Sequence, residues 1–158
     1  VGQKLHQLCS TYRVPFIVDD DVDLAIALHA DGIHVGRSDQ QIQQVLSRVA
    51  DRLFVGLSCS TPAEVAQANQ LAQLSYVGSG PVFPTGSKAD AGPVIGLAGL
   101  AQLVQLSRHP VVAIGGITED QLPEIAQTGA SGSAVISLLT QSTDIAETVQ
   151  KMLQATTH

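Results

Sequence analysis

The segment Val14-Pro15-Phe16-Ile17-Val18-Asp19-Asp20-Asp21 is typical of a buried strand that ends at a polar site, because a short apolar run is followed directly by three carboxylates. Similar short apolar runs follow at residues 33–35, 53–57, 75–78, 111–114 and 133–136. The first residues of the six runs lie 19, 20, 22, 36 and 22 positions apart, which leaves room for a helix in each interval. The runs are nearly continuously apolar rather than alternating, as expected of strands buried on both faces.

Helix-length segments separate the runs, and several begin with start signals. Ser60-Thr61-Pro62-Ala63-Glu64 combines capping residues, an early proline and an early acid, and predicts a helix over residues 65–74. Thr118-Glu119-Asp120 opens another helix, which we expect to end at Gly129. Further helices are predicted over residues 3–12 and 144–153. The sequence therefore predicts six β/α units and a parallel sheet covered by helices.

Two parallel α/β architectures fit this pattern, a doubly wound sheet and a (β/α) barrel. The barrel is favoured because small, polar or charged residues follow nearly every strand, and barrels build their sites from the carboxyl ends of most strands. An open sheet concentrates its chemistry at one switch point. A complete barrel takes roughly 200 to 250 residues. We therefore predict one incomplete TIM (β/α)8 domain over residues 1–158, which supplies the third to the eighth strand; a small open α/β protein is the alternative.

Composition excludes several classes of protein. With 44% apolar and 14% charged residues the chain is not disordered, and its net charge of −6 disfavours binding to nucleic acid. The longest apolar run, residues 111–117, is too short to span a membrane, and the first residues lack the apolar core of a signal peptide. Cys9 and Cys59 are isolated and predict free thiols in a cytoplasmic protein.

The acids after the first strand suggest a cation site. Asp19, Asp20 and Asp21 repel one another unless a cation shares them, and Asp39 follows the next strand. Carboxylates from two neighbouring strand ends suit Mg²⁺, which leaves positions for substrate phosphate oxygens. The alternative is structural, since aspartates also cap helices and interact favourably with the helix dipole.

The later strand ends suggest phosphate binding. Gly80–Lys88 is a loop with two prolines, the hydroxyls of Thr85 and Ser87, and one cationic side chain. Gly115-Gly116 and Ser137 follow the last two strands, where barrels commonly bind phosphate through close backbone approach and free N–H groups. Ser58, at the end of the third strand, could donate a hydrogen bond to a ligand at the same end of the barrel. It also fits the role of a small polar residue that flanks a helix. His34 is interpreted as a hydrogen-bonded interior histidine rather than a ligand.

Taken together, these segments resemble the thiamine-phosphate synthase family. The resemblance rests on motifs in the family's order across nearly the whole chain: residues 18–25, Ala30-Asp31-Gly32-Ile33-His34-Val35-Gly36, Gly56-Leu57-Ser58, Gly78-Ser79-Gly80-Pro81-Val82-Phe83-Pro84-Thr85, residues 113–118 and residues 129–137. It implies a transferase of thiamine biosynthesis, in which a Mg²⁺-bound pyrimidine diphosphate loses pyrophosphate and a thiazole nitrogen captures the resulting cation-like methylene.

The resemblance also implies roles for particular residues. It places Mg²⁺ on Asp20 and Asp39, and the pyrimidine diphosphate on Asp19, Ser58 and Lys88, of which Ser58 and Lys88 take part in catalysis. The thiazole phosphate is expected on Thr85, Gly86, Ser87, Gly116, Ile136 and Ser137. No general base is required, because the thiazole nitrogen is already a nucleophile.

Two departures from the family pattern qualify this picture. The family usually has Asn where this chain has Asp19, and the family's first strand, first helix and second strand, which carry further diphosphate-gripping side chains, are missing. We therefore expect weak or no turnover by the chain alone, and self-association or low stability from exposed strand edges. A thiazole tautomerase-like relative and a non-catalytic phosphate-binding module are the alternatives; neither needs the pair Asp20 and Asp39.

Overall fold

The computed structural model describes residues 1–36, 39–87 and 92–156, and of residues 39–41 it describes the backbone alone. The predicted alternation of strands and helices is confirmed over these ranges. In chain order the elements are α1 (Gly2–Thr11), β1 (Ile17–Asp19), α2 (Val22–Ala27), β2 (Gly32–Val35), α3 (Asp39–Val49), β3 (Phe54–Ser58), α4 (Pro62–Ala68), β4 (Tyr76–Ser79), α5 (Gly96–Leu106), β5 (Val111–Ile114), a 3₁₀ turn (Glu119–Gln121), α6 (Leu122–Gln127), β6 (Gly132–Ala134), α7 (Ser137–Thr140) and α8 (Ile145–Thr156).

The chain divides into two compact units. The first unit contains Val1–Ser58 and Leu71–Tyr76, and the second contains Cys59–Gln70 and the residues from Val77 onward. Within the first unit β1, β2 and β3 pair in parallel in chain order, and within the second unit β4, β5 and β6 do the same. Sequential parallel pairing of this kind is expected for strands of a barrel wall.

In the first unit, parallel register places alternate residues of three strands on one face. Asp19 of β1 lies opposite His34 of β2, and His34 lies opposite Gly56 of β3. The neighbouring residues point to the other face, where they are buried beneath the helices: Val18, Ile33, Val35, Val55 and Leu57. Because the carboxyl ends of these strands lie at one edge, the chemistry-bearing residues of the unit collect there.

In the second unit, β4, β5 and β6 pair in parallel, with Ser79 opposite Ala113 and Ala113 opposite Ser133. Helices α5 and α6 contribute the buried residues Leu100, Leu103 and Ile125 to its core. The hydroxyl of Ser79 is fully buried and donates to the carbonyl oxygen of Cys59 across 2.7 Å. This bond satisfies the hydroxyl in an apolar environment.

Helix boundaries follow local capping, with some differences from the sequence prediction. Thr61 caps α4 by accepting from the N–H of Glu64 at 3.1 Å, as predicted, but the helix ends at Ala68 instead of residue 74. Strand β6 is also shorter than predicted, because the chain leaves the sheet after Ala134 and Ile136 is 66% exposed. In the described part of the chain, no helix combines the length and apolar character needed to cross a membrane.

Candidate active site

The three acids that follow β1 adopt different roles in the first unit. Asp21 caps α2, since its Oδ1 accepts from the N–H of Leu24 at 2.9 Å. Asp20 adopts a left-handed backbone with φ of 65°, and its N–H donates to the carbonyl oxygen of His34. Its Oδ1 accepts from the N–H of Gly36 at 3.3 Å. Asp20 is thus held at the strand end by backbone contacts, with its carboxylate exposed.

Of the two residues assigned to the metal, the structure describes the side chain of Asp20 but not that of Asp39. Asp39 is the first residue of α3, so its backbone position is described, but its side chain lies outside the described residues. Among the described side chains, no group of three or more His, Cys, Asp and Glu could hold a metal ion.

Ser58 ends β3 and belongs to a hydrogen-bonded group on the same face. Its Oγ lies 2.9 Å from Nε2 of His34, whose Nδ1 lies 2.9 Å from the hydroxyl of Tyr76. Burial raises the pKa of the Tyr76 phenol above its ordinary value, and the negative charge of Asp19 raises that pKa further. The structure confirms the interpretation of His34 as a hydrogen-bonded strand histidine and links it to a candidate site residue.

In the second unit, the loop after β4 docks on the glycine turn after β5. The N–H of Val82 donates to the carbonyl of Ile114 at 2.9 Å, and the N–H of Phe83 donates to that of Gly115 at 3.1 Å. Gly116 has φ of 66°, and a Cβ there would overlap the carbonyl oxygen of Pro84. A glycine is required at this position by both its backbone and its neighbour.

The structure brings part of the predicted thiazole-phosphate set together. Thr85 and Ser87 lie close to one another, since the N–H of Ser87 donates to Thr85 Oγ1 at 3.2 Å, and their loop contacts Gly116 through Phe83 and Pro84. Gly86 lies exposed between the two hydroxyl residues. Lys88 lies outside the described residues.

The remaining two predicted residues follow β6. Ile136 is exposed and Ser137 begins α7, where the first N–H groups of a helix lack acceptors within it. Ser137 also lines a cleft of about 450 Å³, whose other walls include Ile117 and α8.

Several carboxylates line the same cleft. Its walls carry Glu119, Asp144 and Glu147, and the ammonium of Lys151 is already paired with Glu119 at 2.8 Å and Glu147 at 3.2 Å. The hydrogen bond to Glu119 contributes most to raising the pKa of Lys151, and the hydrogen bond to Glu147 raises it further.

Comparison with known proteins assigns the chain to a family. The family profile described as thiamine monophosphate synthase matches residues 1–139. The chain belongs to the thiamine monophosphate synthase family. A family relative, the thiamine-phosphate synthase of Lactiplantibacillus plantarum, is 64% identical over 99% of this chain and 72% of its own length. These matches confirm the resemblance inferred from the motifs.

Solved structures agree with the family assignment. The thiamine phosphate pyrophosphorylase of Pyrococcus furiosus superposes with a TM-score of 0.86 at 38% identity, over 98% of this chain and 73% of that one. The 3-hexulose-6-phosphate synthase of Salmonella typhimurium gives a TM-score of 0.75 at 19% identity, over 98% of this chain and 79% of that one, and shares the fold alone.

Proposed function

We propose that this chain performs the thiamine-phosphate synthase reaction, in which the methylene carbon of a pyrimidine diphosphate passes to the ring nitrogen of a thiazole phosphate. The C–O bond to the diphosphate breaks, a C–N bond forms, and pyrophosphate leaves. The observation that carries the proposal is the match to the family profile over residues 1–139, with 64% identity to the thiamine-phosphate synthase of Lactiplantibacillus plantarum. Asp20 is held at the end of β1 in a left-handed backbone, which aspartate tolerates better than most residues.

Asp20 and Asp39 are the residues that we assign to Mg²⁺. The donor chemistry supports this ion, because Mg²⁺ takes one or two protein carboxylates and keeps its other positions for water and phosphate oxygens. When bound, it would neutralise negative charge on the diphosphate leaving group. Asp20 contributes an exposed carboxylate whose orientation is set by the N–H of Gly36.

The other site residues would bind and orient the two substrates. Ser58 donates a hydrogen bond to the pyrimidine diphosphate beside Asp19, and Lys88 supplies a positive charge for the departing pyrophosphate. The thiazole phosphate is assigned to the loop of Thr85, Gly86 and Ser87, to Gly116, and to Ile136 and Ser137 after β6. Close backbone approach at Gly116 and N–H groups at the start of α7 suit a phosphate.

We further propose that the six strands are the third to eighth strands of a (β/α)8 barrel, and that the protein acts in the cytoplasm.

Calorimetric titration of pyrophosphate with Mg²⁺ tests the assignment of Asp20. Asp20→Asn removes the charge while keeping a residue that tolerates a left-handed backbone. We expect this variant to lose most Mg²⁺-dependent binding, whereas Asp51→Asn, at an exposed carboxylate in the same unit, keeps it. Equal Mg²⁺-dependent binding by both variants would remove the metal assignment and favour a phosphate-binding module.

A further inference from the structure

Three side chains on one face of the first unit form a continuous hydrogen-bonded line. His34 lies on β2, opposite Gly56 of β3, and Ser58 is two residues further along β3 on the same face. Tyr76 begins β4, and its ring occupies the space that a side chain at position 56 would fill. The Tyr76 ring stacks on the imidazole of His34, with centroids 5.5 Å apart and planes inclined by 28°.

The imidazole contacts a hydroxyl through each of its nitrogen atoms. Nδ1 lies 2.9 Å from the Tyr76 hydroxyl, and Nε2 lies 2.9 Å from Ser58 Oγ. A neutral imidazole carries one N–H and one bare nitrogen, so it donates on one side and accepts on the other. For a neutral His34, the tautomer therefore decides whether the imidazole donates a hydrogen bond to Ser58 or accepts one from it.

The protonation of Tyr76 favours one of the two arrangements. A tyrosine phenol, whose ordinary pKa is about 10, is protonated at neutral pH. Among the described residues, the acceptor within reach of the Tyr76 hydroxyl is Nδ1 of His34. If Nδ1 carried the proton, the phenolic hydrogen of a half-buried group would lose this acceptor. The satisfied arrangement has Tyr76 donating to Nδ1 and Nε2–H donating to Ser58.

We propose that Tyr76, acting through the Nε2–H tautomer of His34, orients the Ser58 hydroxyl so that its own hydrogen is directed at a ligand. This inference rests on the proposed function, which supplies the ligand, a pyrimidine diphosphate with acceptor atoms on its ring and its phosphates. Tyr76 and His34 are positioning residues, and Ser58 is the residue in contact with the ligand.

The arrangement also defines what Ser58 does not do. An imidazole that already donates from Nε2 cannot take the hydroxyl proton, so His34 does not turn Ser58 into a nucleophile as a serine hydrolase histidine does. Ser58 acts as a neutral hydrogen-bond donor, which agrees with a reaction whose nucleophile is a ring nitrogen of the second substrate. Orienting the donor before binding lowers the cost of ordering it in the complex.

Long-range ¹H–¹⁵N correlation spectra of the labelled full chain test the tautomer without any ligand. The signals of His34 are identified by their loss in His34→Gln. We expect a protonated Nε2 and a bare Nδ1 at neutral pH, and loss of this preference in Tyr76→Phe but not in Tyr12→Phe, since Tyr12 is exposed. A protonated Nδ1 in the unsubstituted chain, or a tautomer unchanged by Tyr76→Phe, would overturn the inference.

A double-mutant cycle tests the consequence for binding. Calorimetric titration of the pyrimidine diphosphate with Mg²⁺ is expected to show about three- to tenfold weaker binding by Tyr76→Phe. The same substitution should have almost no effect when Ser58→Ala is already present. Equal losses in both backgrounds would contradict the positioning role. Absence of binding by the unsubstituted chain, with the expected tautomer present, would count against the proposed function and leave the Tyr76–His34 arrangement standing.

Discussion

The ring of Tyr76 lies directly over the backbone of Gly56, in the space where any other residue would place its Cβ. This contact lets a side chain from β4 pass across β3 and reach His34 on β2. The glycine is therefore part of the candidate site, although it has no chemistry of its own. It explains how a hydroxyl at the start of one strand meets an imidazole two strands away.

Gly56→Ala is expected to destabilise the first unit and to separate Tyr76 from His34. Overpacking of this kind costs about 1–3 kcal/mol of unfolding free energy, which urea denaturation measures. Gly132→Ala is the matched control, because Gly132 also lies in a strand and a Cβ there meets nothing within 4 Å. Equal stability of the two variants would show that the Tyr76 ring moves aside without cost.

Gly116→Ala is expected to lower stability and to abolish binding of thiazole phosphate. Its positive φ and the nearby carbonyl oxygen of Pro84 leave no room for a Cβ. Gly129→Ala separates the two effects, since Gly129 has φ of 89° but its nearest neighbour is a side-chain methyl of Val104 at 3.1 Å rather than backbone. We expect Gly129→Ala to cost stability, by about 1 kcal/mol, with binding unchanged in a fluorescence or calorimetric titration. Retained binding by Gly116→Ala would remove Gly116 from the phosphate site.

Tyr76 is expected to make stability depend on alkaline pH. Its pKa in the folded chain is raised above the ordinary value of 10.0, chiefly by burial. A raised pKa means that the folded state binds the proton more tightly, so the contribution is complete below about pH 10 and is lost as pH rises through the folded-state pKa. Urea unfolding at pH 9 and pH 11 should therefore show a smaller loss for Tyr76→Phe than for Tyr12→Phe. Identical losses would contradict this burial of the phenol.

The sequence was sufficient to predict most of the architecture, because strand and helix signals in this chain are local. Continuous apolar runs located the strands, and Thr61 and Thr118 begin their helical segments as predicted. Strand β6 was predicted too long because apolar character alone does not distinguish buried Val and Ile from the exposed Ile136.

The site was less predictable, because it depends on strand register and on the space that a glycine leaves for a neighbouring ring. Neither the pairing of His34 with Gly56 nor the overlap of Tyr76 with that glycine can be inferred from composition or spacing. The strand alternation of His34 and of Ser58 was the available signal, since each lies on the face opposite the apolar neighbours. The ligand and metal assignments of the site residues stay predictions, and the side chains of Asp39 and Lys88 lie outside the described residues.

The most direct test of the central claim is calorimetric titration of thiamine phosphate into the unsubstituted chain, with and without Mg²⁺ and pyrophosphate. Both products of the proposed reaction should bind together, so we expect Mg²⁺ and pyrophosphate to raise the affinity for thiamine phosphate by about tenfold or more, a coupling of roughly 1.4 kcal/mol. No binding by a chain shown to be folded, or binding that Mg²⁺ and pyrophosphate leave unchanged, would contradict a synthase site in this chain.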